Sequence, residues 1–156
     1  MGFTIDDWGN STMIDSRDII KRIDELESAE TDLADATEEL SDLEEFGAGA
    51  TAEETSAARE LRNDAADAFP VEDREELEAL RGIARQGNYG DWDHGATLIL
   101  ESYFTQYAEQ MAGDTGATNP DSAWPNSHID WDAAAEELKA DYTELEHAGE
   151  SYLMLC

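Results

Sequence analysis

Residues 13–47 read MIDSRDIIKRIDELESAETDLADATEELSDLEEFG. Ile19, Ile23, Leu26, Leu33, Leu40 and Leu43 recur at three- and four-residue steps, the interval at which one face of a helix returns. Asp15 or Ser16 is placed to cap the unpaired N–H groups, Ile14 to staple the first turn and Gly47 to end the helix. The apolar stripe is narrow, with Leu26, Leu33 and Leu40 seven apart, so it requires a partner helix and leaves room for a homodimer.

The partner follows directly along the chain. Beyond the small-residue loop GAGAT, residues 52–69 favour helix, with Ala58, Leu61, Ala65 and Phe69 on one face. Pro70 interrupts, and VEDREELEALRGIARQGN resumes with Leu77, Leu80 and Ile83 before Gly87. Short loops favour antiparallel neighbours, so residues 15–86 are expected to form a long helical hairpin with a broken second arm, its leucines in the core. Residues 1–13, with Phe3, Ile5 and Trp8, are a lead too brief for a domain and able to dock onto something larger.

From residue 87 the texture changes, because Tyr89, Trp92, Tyr103, Phe104, Tyr107, Trp124 and Trp131 cluster there. Residues 96–111 read as a helix, apolar on two sides, and HIDWDAAAEELKADY (residues 128–142) as another. In the second, Trp131, Ala134, Ala135, Leu138 and Tyr142 share a stripe bordered by Asp132 and Glu136 on one flank and Asp130, Glu137 and Asp141 on the other. The tail YTELEHAGESYLMLC reads as a β-hairpin turning at Ala148-Gly149. The expected fold is mainly α with a small α+β C-terminal part, in two domains, residues 1–86 and 87–156.

Charge narrows the function. Thirty-nine acids against nine bases give a formal charge of −30, which repels nucleic acid and anionic membranes and attracts basic surfaces. Neither direct nucleic-acid binding nor membrane association is expected. A disordered acidic tail is disfavoured because 40% of the residues are hydrophobic and fall into periodic patterns. Two causes of the charge stay open. One is a halophilic surface, since lysine occurs only at Lys21 and Lys139. The other is imitation of a polyanion. Residues 24–45 carry eleven acids and no base, about one charge every 3 Å of helix, close to the roughly 3.4 Å along one strand of B-DNA.

No catalytic pattern stands out, and no enzyme is expected. His94, His128 and His147 lack metal-ligand spacing, and Cys156 has no internal partner. There is no phosphate-cradling glycine loop, nucleophile elbow or calcium loop. No cofactor is expected. No signal or membrane-spanning run is visible, so a cytoplasmic protein is expected.

The segments SYFTQYAEQMAG and HIDWDAAAEELKADYTELEHAGESYLML carry a resemblance. Through Tyr107, Ala108, Glu109, Ile129, Asp130, Trp131, Asp132, Ala135, Leu138, Tyr142, Gly149 and Tyr152, residues 102–155 resemble the last part of the ArdA-type antirestriction proteins of phages and mobile elements. The resemblance implies an elongated acidic dimer that imitates bent B-DNA, competes for the DNA groove of type I restriction-modification enzymes and has no catalytic residues. The chain departs from that family by carrying a long helical hairpin in place of the earlier domains, and a glutamate where the "ARDL" helix has arginine. The target could equally be another DNA-handling defence, such as a CRISPR effector.

The partner is therefore expected to be the basic DNA-binding surface of a host defence protein, met in the host cytoplasm if the protein is virus-encoded. Carboxylates on rigid elements accept the same bidentate guanidinium bonds as phosphates. Those placed for the role are Asp24, Glu27, Asp35, Glu38, Asp42 and Glu45 on the first helix, and Asp130, Asp132, Glu136, Glu137, Asp141, Glu144 and Glu146 toward the C-terminus. The rival expectation is a halophilic coiled-coil interaction module whose charge serves solubility.

Overall fold

The computed structural model describes residues 12–155, so Phe3, Ile5, Trp8 and Cys156 lie outside the described residues. The order is β1 (Met13–Asp15), α1 (Ser16–Phe46), α2 (Ala52–Ala68), α3 (Val71–Gly87), the single turn α4 (Trp92–Gly95), β2 (Thr97–Leu100), α5 (Glu101–Asp114), α6 (Trp131–Leu138), β3 (Tyr142–His147) and β4 (Glu150–Leu155), with short 3₁₀ turns at Asn126–His128 and Lys139–Asp141. The chain is thus mainly α with a small antiparallel sheet in the order β1-β2-β4-β3. It divides into two compact units, residues 20–81 and residues 12–19 with 82–155, and the boundary falls inside α1 and α3 rather than at residue 86. The reason is β1. Its pairing of Ile14 with Leu98 assigns the residues before α1 to the C-terminal unit.

Within residues 20–81 the long stripe of α1 buries Leu26, Ala36 and Leu40, α2 contributes Ala58, Phe69 follows it, and α3 adds Leu77 and Leu80. Thr51 caps α2 reciprocally with Glu54: the Glu54 N–H donates to Thr51 Oγ1 at 3.2 Å and the Thr51 N–H to Glu54 Oε2 at 2.7 Å. Not every leucine is core. Leu61 is 54% exposed, because it lies about 60° around α2 from Ala58 at ~100° per residue. Burial of a charge is offset by a two-point ion pair: Arg22 Nε and Nη2 donate to the two oxygens of Glu76 at 2.9 and 2.8 Å. Glu76 is buried, and these bonds hold the Arg22 guanidinium above its ordinary pKa.

In the other unit β2 sits between β1 and β4, and β4 pairs β3 from Tyr142–Leu155 to His147–Glu150. Strand alternation puts Ile99 and Leu153 on the face covered by Phe104, Ala108 and Ala135 of α5 and α6. Leu98, Leu145, Tyr152 and Met154 are buried on the opposite face. Residues 97–100 were expected to be helical; they form a strand because TLIL is apolar on both sides and hydrogen-bonded on both edges. Likewise Ile14 is a buried strand residue, not a staple. The expected hairpin is present, with Ala148 (φ 51°) and Gly149 (φ 81°) both in the left-handed region that a tight two-residue turn requires.

Two close contacts fix the start of α1 and the end of α3. The buried Ser16 hydroxyl donates to the Trp92 carbonyl at 2.6 Å and accepts the Ala96 N–H at 2.8 Å. At Gly87 a Cβ would stand 2.6 Å from the Trp92 ring, so only glycine lets the indole lie against the chain there. The helix expected over residues 128–142 is shorter than its stripe. It ends at Leu138, and Tyr142 instead opens β3, meeting Phe104 edge-on at 5.1 Å. Burial raises the Tyr142 phenol above its ordinary pKa, with the Tyr107 hydroxyl 3.4 Å away contributing.

The Arg22–Glu76 pair yields a stability prediction. Glu76→Ala leaves the partly enclosed Arg22 only its longer contacts to Glu25 at 3.5 Å and Asp73 at 4.0 Å and should lower the unfolding free energy in urea by about 3 kcal/mol, whereas Arg22→Met with Glu76→Leu should recover most of it. Equal losses in the single and double variants would contradict this.

Candidate functional site: two carboxylate surfaces

The sequence-predicted carboxylates fall into two sets, one in each unit. On α1 the sequence spacing places Asp24, Glu27, Asp35, Glu38, Asp42 and Glu45 within about 80° of one another at ~100° per residue, roughly opposite the buried Leu26 and Leu40. Asp24, Asp35, Glu38, Asp42 and Glu45 are exposed. They run about 32 Å along the helix, a charge roughly every 8 Å. The exposed flank of Glu25, Asp32 and Glu39 brings the density nearer that of a nucleic-acid strand. Glu27 differs, because Arg81 donates to it at 3.1 Å and to Glu30 at 2.7 Å. These bonds, that to Glu30 foremost, hold Arg81 above its ordinary pKa. Glu27 is therefore part of the α1–α3 seam. Asp24, Asp35, Glu38, Asp42 and Glu45 have no cationic partner among the described residues.

The C-terminal set is more tied down. Asp130 is the N-cap of α6, accepting the Ala133 N–H at 3.0 Å. Asp132 accepts from Thr105 Oγ1 at 3.1 Å, which joins α6 to α5. Glu136 takes a hydrogen bond from Lys139 Nζ at 2.7 Å, and Lys139 also reaches Glu101 at 3.3 Å. These bonds, Glu136 first, raise the Lys139 pKa. Glu137 is exposed on α6, and Asp141 lies in the 3₁₀ turn rather than on the helix, so the border expected from Asp130 through Glu137 to Asp141 is broken. Glu144 and Glu146 are exposed on the outer strand β3. Gln86 braces that strand, its side-chain amide bonding both the N–H and the carbonyl of Glu146, at 3.1 and 3.2 Å.

Sequence reasoning could not find which carboxylates are already engaged, because Glu27 with Arg81 is a contact 54 positions apart. A capping signal for Asp130 was readable from its place before Trp131. Among the described residues no group of three or more His, Cys, Asp and Glu side chains is placed to hold a metal ion, and no helix is long and apolar enough to cross a membrane. No protein-family profile, curated protein or solved structure matches the chain.

Asp130 is both a charge and a cap, and the two roles separate experimentally. Asp130→Asn keeps a side-chain oxygen for the Ala133 N–H and should leave thermal stability nearly unchanged. Asp130→Ala should cost about 1 kcal/mol. Thermal denaturation of both variants checks this; an equal loss would mean that charge, not the cap bond, is what matters there.

Proposed function

We propose that the protein is an inhibitory DNA mimic: a non-catalytic, cofactor-free binder that occupies the basic DNA-binding surface of a host defence protein in the cytoplasm. The observation that carries this reading is the exposed face of α1, where Asp24, Asp35, Glu38, Asp42 and Glu45 stand opposite the buried stripe. A helix fixes the intervals between carboxylates, as a duplex fixes those between phosphates. A basic site built for phosphate can then meet several of them at once. The −30 charge supplies long-range attraction to such a site and repels nucleic acid itself. The likeness of residues 102–155 to ArdA-type proteins supports restriction-modification enzymes as the first target to test.

One observation favours the second reading, a halophilic interaction module. Acids are exposed off the α1 ridge as well, including Glu53, Glu60 and Asp67 on α2 and Glu72, Glu75 and Glu78 on α3. Those positions follow solubility rather than a single recognition face. The two readings differ in dilute buffer, where a protein that depends on molar salt loses helical circular dichroism.

The deciding experiment is inhibition of a purified type I restriction enzyme acting on unmodified plasmid. Inhibition should be relieved by excess specific duplex DNA and should weaken steeply between 50 and 200 mM salt, as phosphate-like contacts require. Undiminished cleavage at excess protein, together with failure to retain any DNA-eluted nuclease from host extract, would contradict the proposal.

A further inference from the structure

Between α1 and α2, within residues 20–81, lies a groove of about 410 Å³. Its floor is small and apolar, formed by Ala29 and Ala36 of α1 and Ala65 and Ala68 of α2, and Leu61 stands along it at 54% exposure. Carboxylates line both sides: Asp32, Asp35 and Glu39 from α1, Asp64 from α2. None of the four has an ion pair or side-chain hydrogen bond among the described residues. Along α1 a second depression of about 510 Å³ shares Asp35 and Glu39 with the groove and is further lined by Glu38, Asp42 and Leu43 of α1 and by Phe46, which is 74% exposed. From Ala29 to Phe46 the path is about 25 Å long.

We propose that this groove is a docking site for a basic amphipathic helix of a partner protein. Alanines on the floor let a third helix approach to the 8–10 Å axis separation typical of helix packing. Its apolar stripe would meet Leu61, the alanines and, at the far end, Phe46, as helix-in-groove recognition does. Lysines and arginines flanking that stripe would meet Asp32, Asp35 and Glu39 on one side and Asp64 on the other. Charge complementarity selects this occupant over a second copy of the chain. A copy carries 39 acids and nine bases, and would set acidic surface against an acidic rim.

The inference does not rest on DNA mimicry. A mimic reads its target through carboxylates alone, whereas this site also needs apolar contact.

The test uses the full chain and two fluorescent 18-residue peptides of identical Leu/Lys composition, one patterned as an amphipathic helix and one scrambled. Anisotropy is read at 150 and 500 mM salt, with sedimentation velocity of the protein alone. The patterned peptide is expected to bind at least about tenfold more tightly than the scrambled one and to keep part of its affinity at high salt, where screening removes most pure charge attraction. Leu61→Gln, at an exposed position, should weaken the patterned peptide by about tenfold with circular dichroism unchanged, while Val71→Gln, exposed outside the groove, should not. Equal binding of both peptides overturns the proposal by showing polyelectrolyte attraction only. An indifferent Leu61→Gln overturns it by placing the peptide elsewhere. A protein dimer that Leu61→Gln converts to monomer also overturns it, because a second copy then fills the groove. Retention of peptide binding without inhibition of any DNA-handling enzyme leaves the groove standing and removes only the mimic.

Discussion

Arg22, Arg59 and Arg81 tie α1 to the helices beside it, and the rest of the acidic unit depends on where they stand. Arg22 clasps Glu76 of α3, Arg81 of α3 reaches back to Glu27 and Glu30 of α1, and Arg59 of α2 meets Glu44 of α1 at 2.8 Å. With nine bases against 39 acids, helices rich in carboxylate repel wherever they meet. Guanidinium groups at the seams turn that repulsion into attraction locally. The two α3 contacts are multi-point and half-buried, which makes them worth more than exposed pairs. The consequence is directional: Glu27, Glu30, Glu44 and Glu76 are matched at the seams, and the carboxylates on the outer face of α1 and along the α1–α2 groove are left to solvent or to a partner.

Much of this was legible in the sequence where local signals and period agree. The stripe of α1, the stop at Gly47, the break at Pro70 and the turn at Ala148-Gly149 each follow from residues close together in the chain. Failures came where a distant segment decided. TLIL satisfies a helix or a buried strand equally, and only β1 and β4 on either side make it a strand. Leu61 has the chemistry of a core residue, yet its angle around α2 turns it toward the groove. Among the carboxylates the acidic face was legible, but not that Glu27 is held by Arg81, 54 positions away; Glu136 with Lys139 and Asp130 with the Ala133 N–H are local contacts three residues apart.

The same spacing rule explains both surfaces on α1. Turning the helix about 180° from the buried stripe reaches the exposed ridge, and turning it part of the way reaches the groove floor of Ala29 and Ala36 with its rim of Asp32 and Glu39. A continuous helix of 31 residues fixes these positions relative to one another. Acidity on such a frame is ordered charge, at the cost of self-repulsion that salt or a basic partner relieves.

The central claim is that the α1 ridge is kept for recognition and not for folding. It is tested by changing Asp24, Asp35, Glu38, Asp42 and Glu45 together to Asn and Gln, and measuring urea stability at 20 mM and 1 M salt beside inhibition of the type I restriction enzyme proposed as its target. The account predicts a protein at least as stable as the parent at low salt, with inhibition lost by tenfold or more, an effect roughly on the scale of a few charged contacts. A variant that inhibits as well as the parent, or one that unfolds at both salt concentrations, would contradict it.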